Sequence, residues 1–234
     1  MRTYSHFLIT AAIRRVVPSL KDIPKSAVYI GSIAPDIPLL LLTSGSMIYY
    51  PYILGWEFRG MSNHIFNTLF FTDPFWIISQ NFLQAPFVLL FAIATLYKIH
   101  GKHTVLNNWW FWFFNACLLH ATIDILTHND DGPLVFFPFD WQIRFSSPVS
   151  YWDRDHFGAV FTQFENYLDG VLILYLLIPV TISWIKRKMS VDREISELNE
   201  SLYHGKPRRS SPGQPSTSIF FASSQSSSRR SNEA

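Results

Sequence analysis

An uncharged apolar stretch, residues 170–185, is followed directly by three basic residues at 186–188. At about 1.5 Å per residue, a helix of this length falls short of a hydrocarbon core about 30 Å thick. Residues 167–168 must therefore contribute to a crossing, with Asp169 near the interface. The pattern predicts a membrane-spanning helix that stops at a basic cluster.

The composition agrees with a chain that meets lipid. Charged residues make up 15% of the 234 residues, against roughly 25% in typical soluble domains, while aromatic residues reach 17%. The net charge of +2 and the scattered Lys and Arg residues give no recognisable stripe for nucleic acid, so no nucleic-acid partner is expected. The single cysteine, Cys117, excludes an intrachain disulfide and a multi-cysteine zinc site.

Several further stretches are apolar enough to form helices. Residues 85–99 and 105–126 are nearly continuous, whereas 27–42 and 64–83 are interrupted by prolines and predict helices joined by turns. Asp73 as N-cap and Pro74 as first residue predict a helix start inside the last of these. We therefore expect an all-α, polytopic helical membrane protein with about four to six membrane helices.

The same pattern predicts three regions along the chain. Residues 1–188 form the helical membrane domain, and 189–204 have the apolar spacing of one short amphipathic helix. Residues 205–234, of which 10 are Ser, have the composition of a disordered Ser/Arg-rich tail. Basic residues near the N-terminus, at 98–103 and after 185 favour a cytoplasmic side for these segments, including the C-terminus.

The polar centre of the chain is the segment CLLHATIDILTHNDDGPLVFFPF. His120, Asp124 and His128 recur every four residues, so on a helix they lie within about 80° of arc and spread over about 12 Å. One ion cannot take all three comfortably, but an i, i+4 pair can bind one, as in HExxH helices. We expect His120 with Asp124, or Asp124 with His128, to be that unit, with Asp131 nearby where Gly132 ends the helix.

A purely structural interpretation is open, because a His or Asp on a membrane helix can simply hydrogen-bond a neighbouring helix. Each buried ionisable group is costly, however, by about 2.5–3.5 kcal/mol for Asp on insertion scales. Three such groups at regular spacing beside a double Asp therefore favour a site.

Additional metal ligands would have to come from elsewhere in the chain. His6, Asp36 and His64 each stand at a predicted helix boundary and are the candidates. Taken alone, they are equally compatible with an interfacial histidine, an ordinary capping or turn aspartate, and a surface histidine.

Residues 137–158, FPFDWQIRFSSPVSYWDRDHFG, predict an ordered extramembrane loop dense in aromatic residues. Such a loop could pack over the helix mouth as a lid or form an interfacial aromatic belt. The sequence contains no GxGxxG, GxxxxGK[ST], GxSxG or CxxC motif, which favours metal over serine chemistry.

The order of motifs resembles a known group: Ser-His at 5–6, Gly-Ser-x-x-Pro-Asp at 31–36, His64, and then HxxxD at 120–124. The chain is similar to bacterial inner-membrane, metal-dependent hydrolases related to zinc-dependent phospholipase C. Within this group it looks most like membrane proteins that share the late signature HATIDILTHNDDGPLVFFPFDWQIRFSSPVSYWD.

The resemblance covers roughly residues 1–185 and implies an all-α fold in the bacterial inner membrane. It also implies metal ligands at five positions: His6, Asp36, His64, His120 and Asp124. The sequence departs from the related hydrolases, which show Pro-Asp-x-Asp and HRxxTH where this chain has Pro-Asp-Ile-Pro and RGMSNH. His128 and the double Asp at 130–131 could substitute as ligands.

Two hypotheses from different classes follow. In the first, a divalent ion, zinc by ligand type, activates water for attack on a phosphoester or lipid-like substrate, and Asp131 manages protons. In the second, the same residues form the structural core of a non-enzymatic membrane protein. Ion transport ranks third, because residues 170–185 offer almost no polar groups to continue a pathway.

Overall fold

The computed structural model describes residues 1–203, and their regular structure is helical, without a strand in that range. The predicted all-α class is confirmed. The nine α-helices among these residues are α1 (Thr3–Val16), α2 (Lys25–Ile33), α3 (Ile37–Tyr52), α4 (Phe58–His64), α5 (Phe70–Thr72), α6 (Pro74–Asn81), α7 (Pro86–Val105), α8 (Trp109–Thr127) and α9 (Gly158–Tyr203). The predicted disordered tail, 205–234, lies outside the described residues.

Helix starts follow the local chemistry of the sequence. The predicted N-cap is confirmed, because Asp73 accepts a hydrogen bond from the Trp76 amide at 3.0 Å and Pro74 opens α6. The Asn108 side chain caps α8 in the same way, accepting from the Phe111 amide at 3.1 Å. These caps satisfy backbone donors that a helix N-terminus leaves unpaired.

Two helical segments within residues 1–203 are long and apolar enough to cross a membrane: Lys25–Tyr52 and Gly158–Glu200. The bent pair α6 and α7, with an angle of 47° between them, counts as a third if it forms one broken span. This number is lower than the predicted four to six. Helix α8, the third long apolar stretch of the sequence, is not one of these candidate spans and carries Asn115, His120 and Asp124.

The span Lys25–Tyr52 comprises α2 and α3, which are joined by a 3₁₀ turn at Ala34–Asp36. Prolines on both sides of Asp36 explain this turn, since a proline removes a backbone donor and favours the first turn of a helix. The predicted helix–turn–helix arrangement is confirmed, and it places Asp36 in the middle of the span.

Helix α8 is central in the fold and packs against α1, α2 and α7. Its buried face packs against α2, and Gly31 of α2 permits a close approach. A Cβ atom at Gly31 would lie 2.5 Å from the carbonyl oxygen of Phe113 and 2.9 Å from the Cβ of Ala116. Only a residue without a side chain fits there, so the spacing between α2 and α8 depends on this glycine.

The chain divides into two compact units, Met1–Ser183 and a second that begins at Trp184. The first holds α1 to α8 and the start of α9. Helix α9 is longer than the span predicted at 170–185, since it runs from Gly158 to Tyr203. The predicted amphipathic segment is helical up to Tyr203, but it continues α9 rather than forming a separate helix.

Candidate metal centre

The i, i+4 pair predicted on α8 is the base of the site. His120 and Asp124 are 1% and 4% exposed, and the Nε2 atom of His120 lies 2.9 Å from Oδ2 of Asp124. One turn of helix separates the two residues, so their side chains meet on the face that α8 turns towards the protein.

Helix α1 brings His6 to the same carboxylate. The Nε2 atom of His6 lies 2.9 Å from Oδ1 of Asp124, and the His6 ring is fully enclosed. The rings of His6 and His120 are stacked, with centroids 3.7 Å apart. Both histidines therefore direct Nε2 at one carboxyl group from two different helices.

Asp36 completes the cluster from the turn between α2 and α3. Its Oδ1 atom is 3.2 Å from Nε2 of His120, while its Oδ2 atom accepts a hydrogen bond from the Thr3 hydroxyl at 2.6 Å. The side-chain amide of Gln84 approaches Oδ1 at 3.4 Å. A second carboxylate is thus held beside His120 by residues of α1 and of the α6–α7 connection.

The protonation of His120 follows from its other ring nitrogen. Nδ1 lies 2.8 Å from the carbonyl oxygen of Ser32, which can only accept, so Nδ1 carries the proton. In a neutral imidazole, Nε2 then presents a lone pair to two carboxylate oxygens. That arrangement requires either a second proton on the ring or a cation between the groups.

The geometry of the contacts fits a shared ion. Within the described residues, Nε2 of His6 and Nε2 of His120 have no aligned hydrogen-bond partner, although each is 2.9 Å from an oxygen of Asp124. Two ligand atoms about 2.0–2.2 Å from one ion, at about 90–109° to each other, are separated by about 2.8–3.6 Å. Ligand atoms of His6, His120 and Asp124 all lie within 4.8 Å of one another. The donor set and its spacing fit a divalent metal.

Positive charge also reaches Asp124 from the first residue. The amino group of Met1 lies 3.1 Å from Oδ1 of Asp124 and 3.1 Å from the hydroxyl of Thr127. The carboxylate is therefore surrounded by nitrogen atoms from three directions, as a buried charge requires.

His128 lies beside the cluster, but the helical arrangement predicted for it is wrong. Helix α8 ends at Thr127, and His128 has an extended backbone. Its Nδ1 atom lies 2.9 Å from the backbone carbonyl of Asp124 and 3.6 Å from Oδ1 of the same residue. The side chain thus caps the end of α8, because it occupies the carbonyl that a backbone amide would use in a further helical turn. Burial lowers the pKa of His128.

His64 is the predicted ligand that the structure does not bring to the cluster. Its ring packs against Tyr50 and Trp56, with ring centroids 5.4 Å and 5.3 Å away. It closes a small aromatic group where α3 and α4 meet.

Asp131 lies close to the end of α8. Its Oδ2 atom accepts a hydrogen bond from the indole nitrogen of Trp152 at 2.8 Å. Its Oδ1 atom is buried without a partner among residues 1–203. Asp131 therefore keeps one carboxylate oxygen available.

A cavity of about 1400 Å³ opens next to the cluster. Asp36, Asp124, His128 and Asp131 border its polar side, and its apolar side includes Leu39, Leu40, Phe66, Phe70 and Phe71. The carboxylates of the cluster therefore border a space with both charged and apolar walls, to which Arg2 and Arg59 also contribute.

Three contacts of the site have no clear sequence signal. Thr3 and Gln84 hold Asp36, and the carbonyl of Ser32 orients His120. Any residue type has a backbone carbonyl, so the sequence cannot predict the contact of Ser32 with His120. The Gly-Ser-x-x-Pro-Asp segment was the feature of the sequence that indicated this region.

Together, the apolar helices and the enclosed histidines and carboxylates define an all-α integral membrane protein with a buried His/Asp cluster. The family model described as YdjM inner membrane protein matches residues 1–190, and the chain belongs to this family. No curated protein and no solved structure matches the chain.

Proposed function

We propose that the protein is a membrane-embedded, metal-dependent hydrolase whose ion is held by His6, His120 and Asp124, with Asp36 beside them. One observation carries the proposal. The Nε2 atoms of both histidines lie 2.9 Å from the two oxygens of Asp124 without hydrogen-bond alignment, at the spacing of ligands around one ion.

Zinc suits this donor set. Two imidazole nitrogens and a carboxylate oxygen are a common catalytic zinc set, and such sites keep a further position open. An ion bound there would supply Lewis-acid chemistry and lower the pKa of a coordinated water to about 7. The carbonyl of Ser32 keeps the proton of His120 on Nδ1, so that Nε2 faces the centre.

Two carboxylates have supporting roles in this proposal. Asp36 lies 3.2 Å from Nε2 of His120 and is fixed by Thr3, so it can balance charge or complete the ligand set. Asp131 borders the same cavity as Asp124 and has a buried oxygen available, which suits a group that accepts and returns a proton.

The cavity supports an amphiphilic substrate. Its apolar wall, with Phe66, Phe70 and Phe71, can accommodate an acyl chain, while the charged side approaches the cluster. A phosphoester or ester of a membrane lipid has both parts, and the bilayer supplies such molecules to an integral membrane protein.

Metal content tests the proposal directly. Detergent-purified protein is analysed for bound metal, and the unchanged chain is compared with a His120→Ala/Asp124→Ala double variant and with His64→Ala, whose histidine lies outside the cluster. Near-stoichiometric zinc, manganese or iron in the unchanged chain and in His64→Ala, lost in the double variant, supports the site. Phosphoester and lipid substrates are then screened with the same set of variants.

The competing function is a structural polar core without catalysis. It is favoured by the amino group of Met1 on Asp124 and by the hydroxyl of Thr3 on Asp36, which already place donors on both carboxylates. In that case His120 is doubly protonated and pairs with the carboxylates as a cation. Absence of metal from all variants after reconstitution would favour this alternative.

A further inference from the structure

A short hairpin lies between α8 and α9, and we refer to residues 133–145 as the aromatic hairpin. Leu134 and Arg144 form an antiparallel bridge, and the Val135 amide donates to the carbonyl of Ile143 at 3.1 Å. At its tip, one oxygen of Asp140 accepts from the amides of residues 142 and 143 at 2.8 Å and 2.7 Å. This Asx-type turn fixes the shape of the tip.

One side of the aromatic hairpin is anchored in the protein. Leu134 and Phe137 are buried together with Ile77 and Ala85, at the junction between α6 and α7. The Leu134 amide also donates to the side-chain oxygen of Asn81 at 2.8 Å. The hairpin therefore covers the bend between α6 and α7, where the helical hydrogen bonding is interrupted.

The hairpin also has five exposed apolar side chains: Phe136, Phe139, Trp141, Ile143 and Phe145. The exposed fraction of Phe139 reaches 78%. The Trp141 indole donates to the carbonyl of Pro138 at 2.9 Å, so the ring is held in place. A preformed apolar surface of this kind marks a contact with a partner or with a membrane.

Continuity with α7 identifies the partner as lipid. The ring of Phe139 contacts the ring of Phe87 edge to face, with centroids 5.1 Å apart. Phe87 lies in the first turn of α7, whose Leu90 and Phe91 are also exposed on the bent candidate span. Phe139 thus continues the apolar surface of a candidate membrane span.

The irregular backbone of the aromatic hairpin limits how deep it can lie in the bilayer. Lipid-exposed irregular backbone does not occur within the hydrocarbon region, because its polar groups would be unsatisfied. Aromatic residues, tryptophan above all, are enriched at the membrane–water interface. We propose that the aromatic hairpin lies in the interfacial layer of the bilayer, with Phe139 and Trp141 at the boundary between headgroups and acyl chains.

This placement has a consequence for the cavity. Asp131 and Pro133, at the base of the hairpin, border the cavity beside the His/Asp cluster. An anchored hairpin would hold this side of the cavity close to the headgroup layer. The proposal does not depend on the metal or on catalysis.

Fluorescence quenching in vesicles tests the depth. The full chain carrying Phe139→Cys is labelled with bimane and reconstituted into phosphatidylethanolamine–phosphatidylglycerol vesicles. The vesicles contain a lipid with a nitroxide either near the headgroup or near the end of the acyl chain. Iodide, loaded on both sides of the bilayer by freezing and thawing, serves as the aqueous quencher. Arg154→Cys, an exposed polar position of the neighbouring loop, is the matched control, and the unsubstituted chain measures labelling of buried Cys117.

We expect the shallow nitroxide to quench the Phe139→Cys label several-fold more than the deep one. Iodide should quench it several-fold less than the Arg154→Cys label. Equal iodide quenching at both positions, or stronger quenching by the deep nitroxide, would overturn the proposal. Ile143→Cys, at another exposed apolar position of the hairpin, provides an independent second label, and circular dichroism verifies that each variant is folded.

Discussion

The imidazole rings of His6 and His120 lie face to face, with centroids 3.7 Å apart and planes inclined by 16°. Two imidazolium cations at this distance in a buried site would repel each other strongly, so at least one ring is neutral. A neutral imidazole is the form that binds metals. The pair thus connects α1 to α8 in two ways: the two rings stack, and both direct Nε2 at Asp124.

Removing His6, the member of the stacked pair that lies in α1, should weaken metal binding. We expect His6→Ala to lose at least about tenfold in metal affinity, since a direct ligand contributes no less than the outer contacts whose loss costs about 10–100-fold. The measurement is competition with a chelator of known affinity in detergent solution. His64→Ala, which removes a histidine packed against Tyr50 and Trp56, should keep the affinity of the unchanged chain. Equal affinities in both variants would remove His6 from the ligand set.

Asp36 can be tested without a change of size. Asp36→Asn keeps an acceptor for the Thr3 hydroxyl but removes the negative charge 3.2 Å from Nε2 of His120. We expect metal affinity to fall by about 10–100-fold, the usual cost of losing a supporting contact at a metal site. Glu57→Gln, a carboxylate on the same cavity but outside the cluster, is the matched control. If both substitutions have the same effect, it reflects the charge of the cavity as a whole.

The close contact between α2 and α8 predicts a large difference between two glycines. Gly31→Ala would place a Cβ atom 2.5 Å from the carbonyl oxygen of Phe113, whereas Gly45→Ala, in α3, meets nothing within 4 Å. We expect the first to destabilise the protein by about 1–3 kcal/mol, the usual cost of overpacking. The second should be neutral or stabilise it by up to about 1 kcal/mol, because alanine favours a helix. Thermal unfolding in the same detergent compares the two.

The Gly31 variant also reports on the site. Ser32, the next residue, orients His120 through its carbonyl. Separation of α2 from α8 should therefore lower metal affinity together with stability. A variant that is less stable but binds metal with unchanged affinity would show that the cluster does not depend on this contact.

Spacing alone predicted the pair His120 and Asp124, because an i, i+4 relation is set by the helix itself and survives any tertiary arrangement. Asp36 was predicted from the prolines around it, which require a turn wherever the chain lies. The same reasoning failed for His128. The helix ends at Thr127, and the His128 side chain contacts the carbonyl that a further turn would have used.

Other features depend on tertiary contacts that no local pattern contains. His64 has the residue type and boundary position of a ligand, yet it packs with aromatic residues of α3 and the following loop. The number of candidate spans, two or three, is lower than the predicted four to six, since short helices such as α4 and α6 resemble pieces of a span in sequence. The contribution of the Ser32 carbonyl is invisible to side-chain patterns. Ser32 and His120 are 88 residues apart in the chain, so no local pattern connects them.

A substitution at Asp131 can distinguish a role in proton transfer from a role in metal binding. Its Oδ2 atom accepts from Trp152, its Oδ1 atom is buried, and it borders the cavity without belonging to the ligand cluster. We expect Asp131→Asn to keep the metal content of the unchanged chain, since the amide preserves the shape and the acceptor for Trp152. Hydrolytic turnover, measured on whichever phosphoester or lipid substrate the screen identifies, should fall by about 10²-fold or more, as for the loss of a general acid or base.

Asp130→Asn is the matched control, because Asp130 is the adjacent carboxylate and borders the same cavity. It should retain turnover within a small factor, since the fixed contact to Trp152 belongs to Asp131 alone of the two in the described structure. Loss of metal in Asp131→Asn would assign this residue to the ligand set. Equal turnover of both variants and the unchanged chain would leave proton transfer to another group, and His128, which borders the cavity and lies beside Asp124, would be tested next.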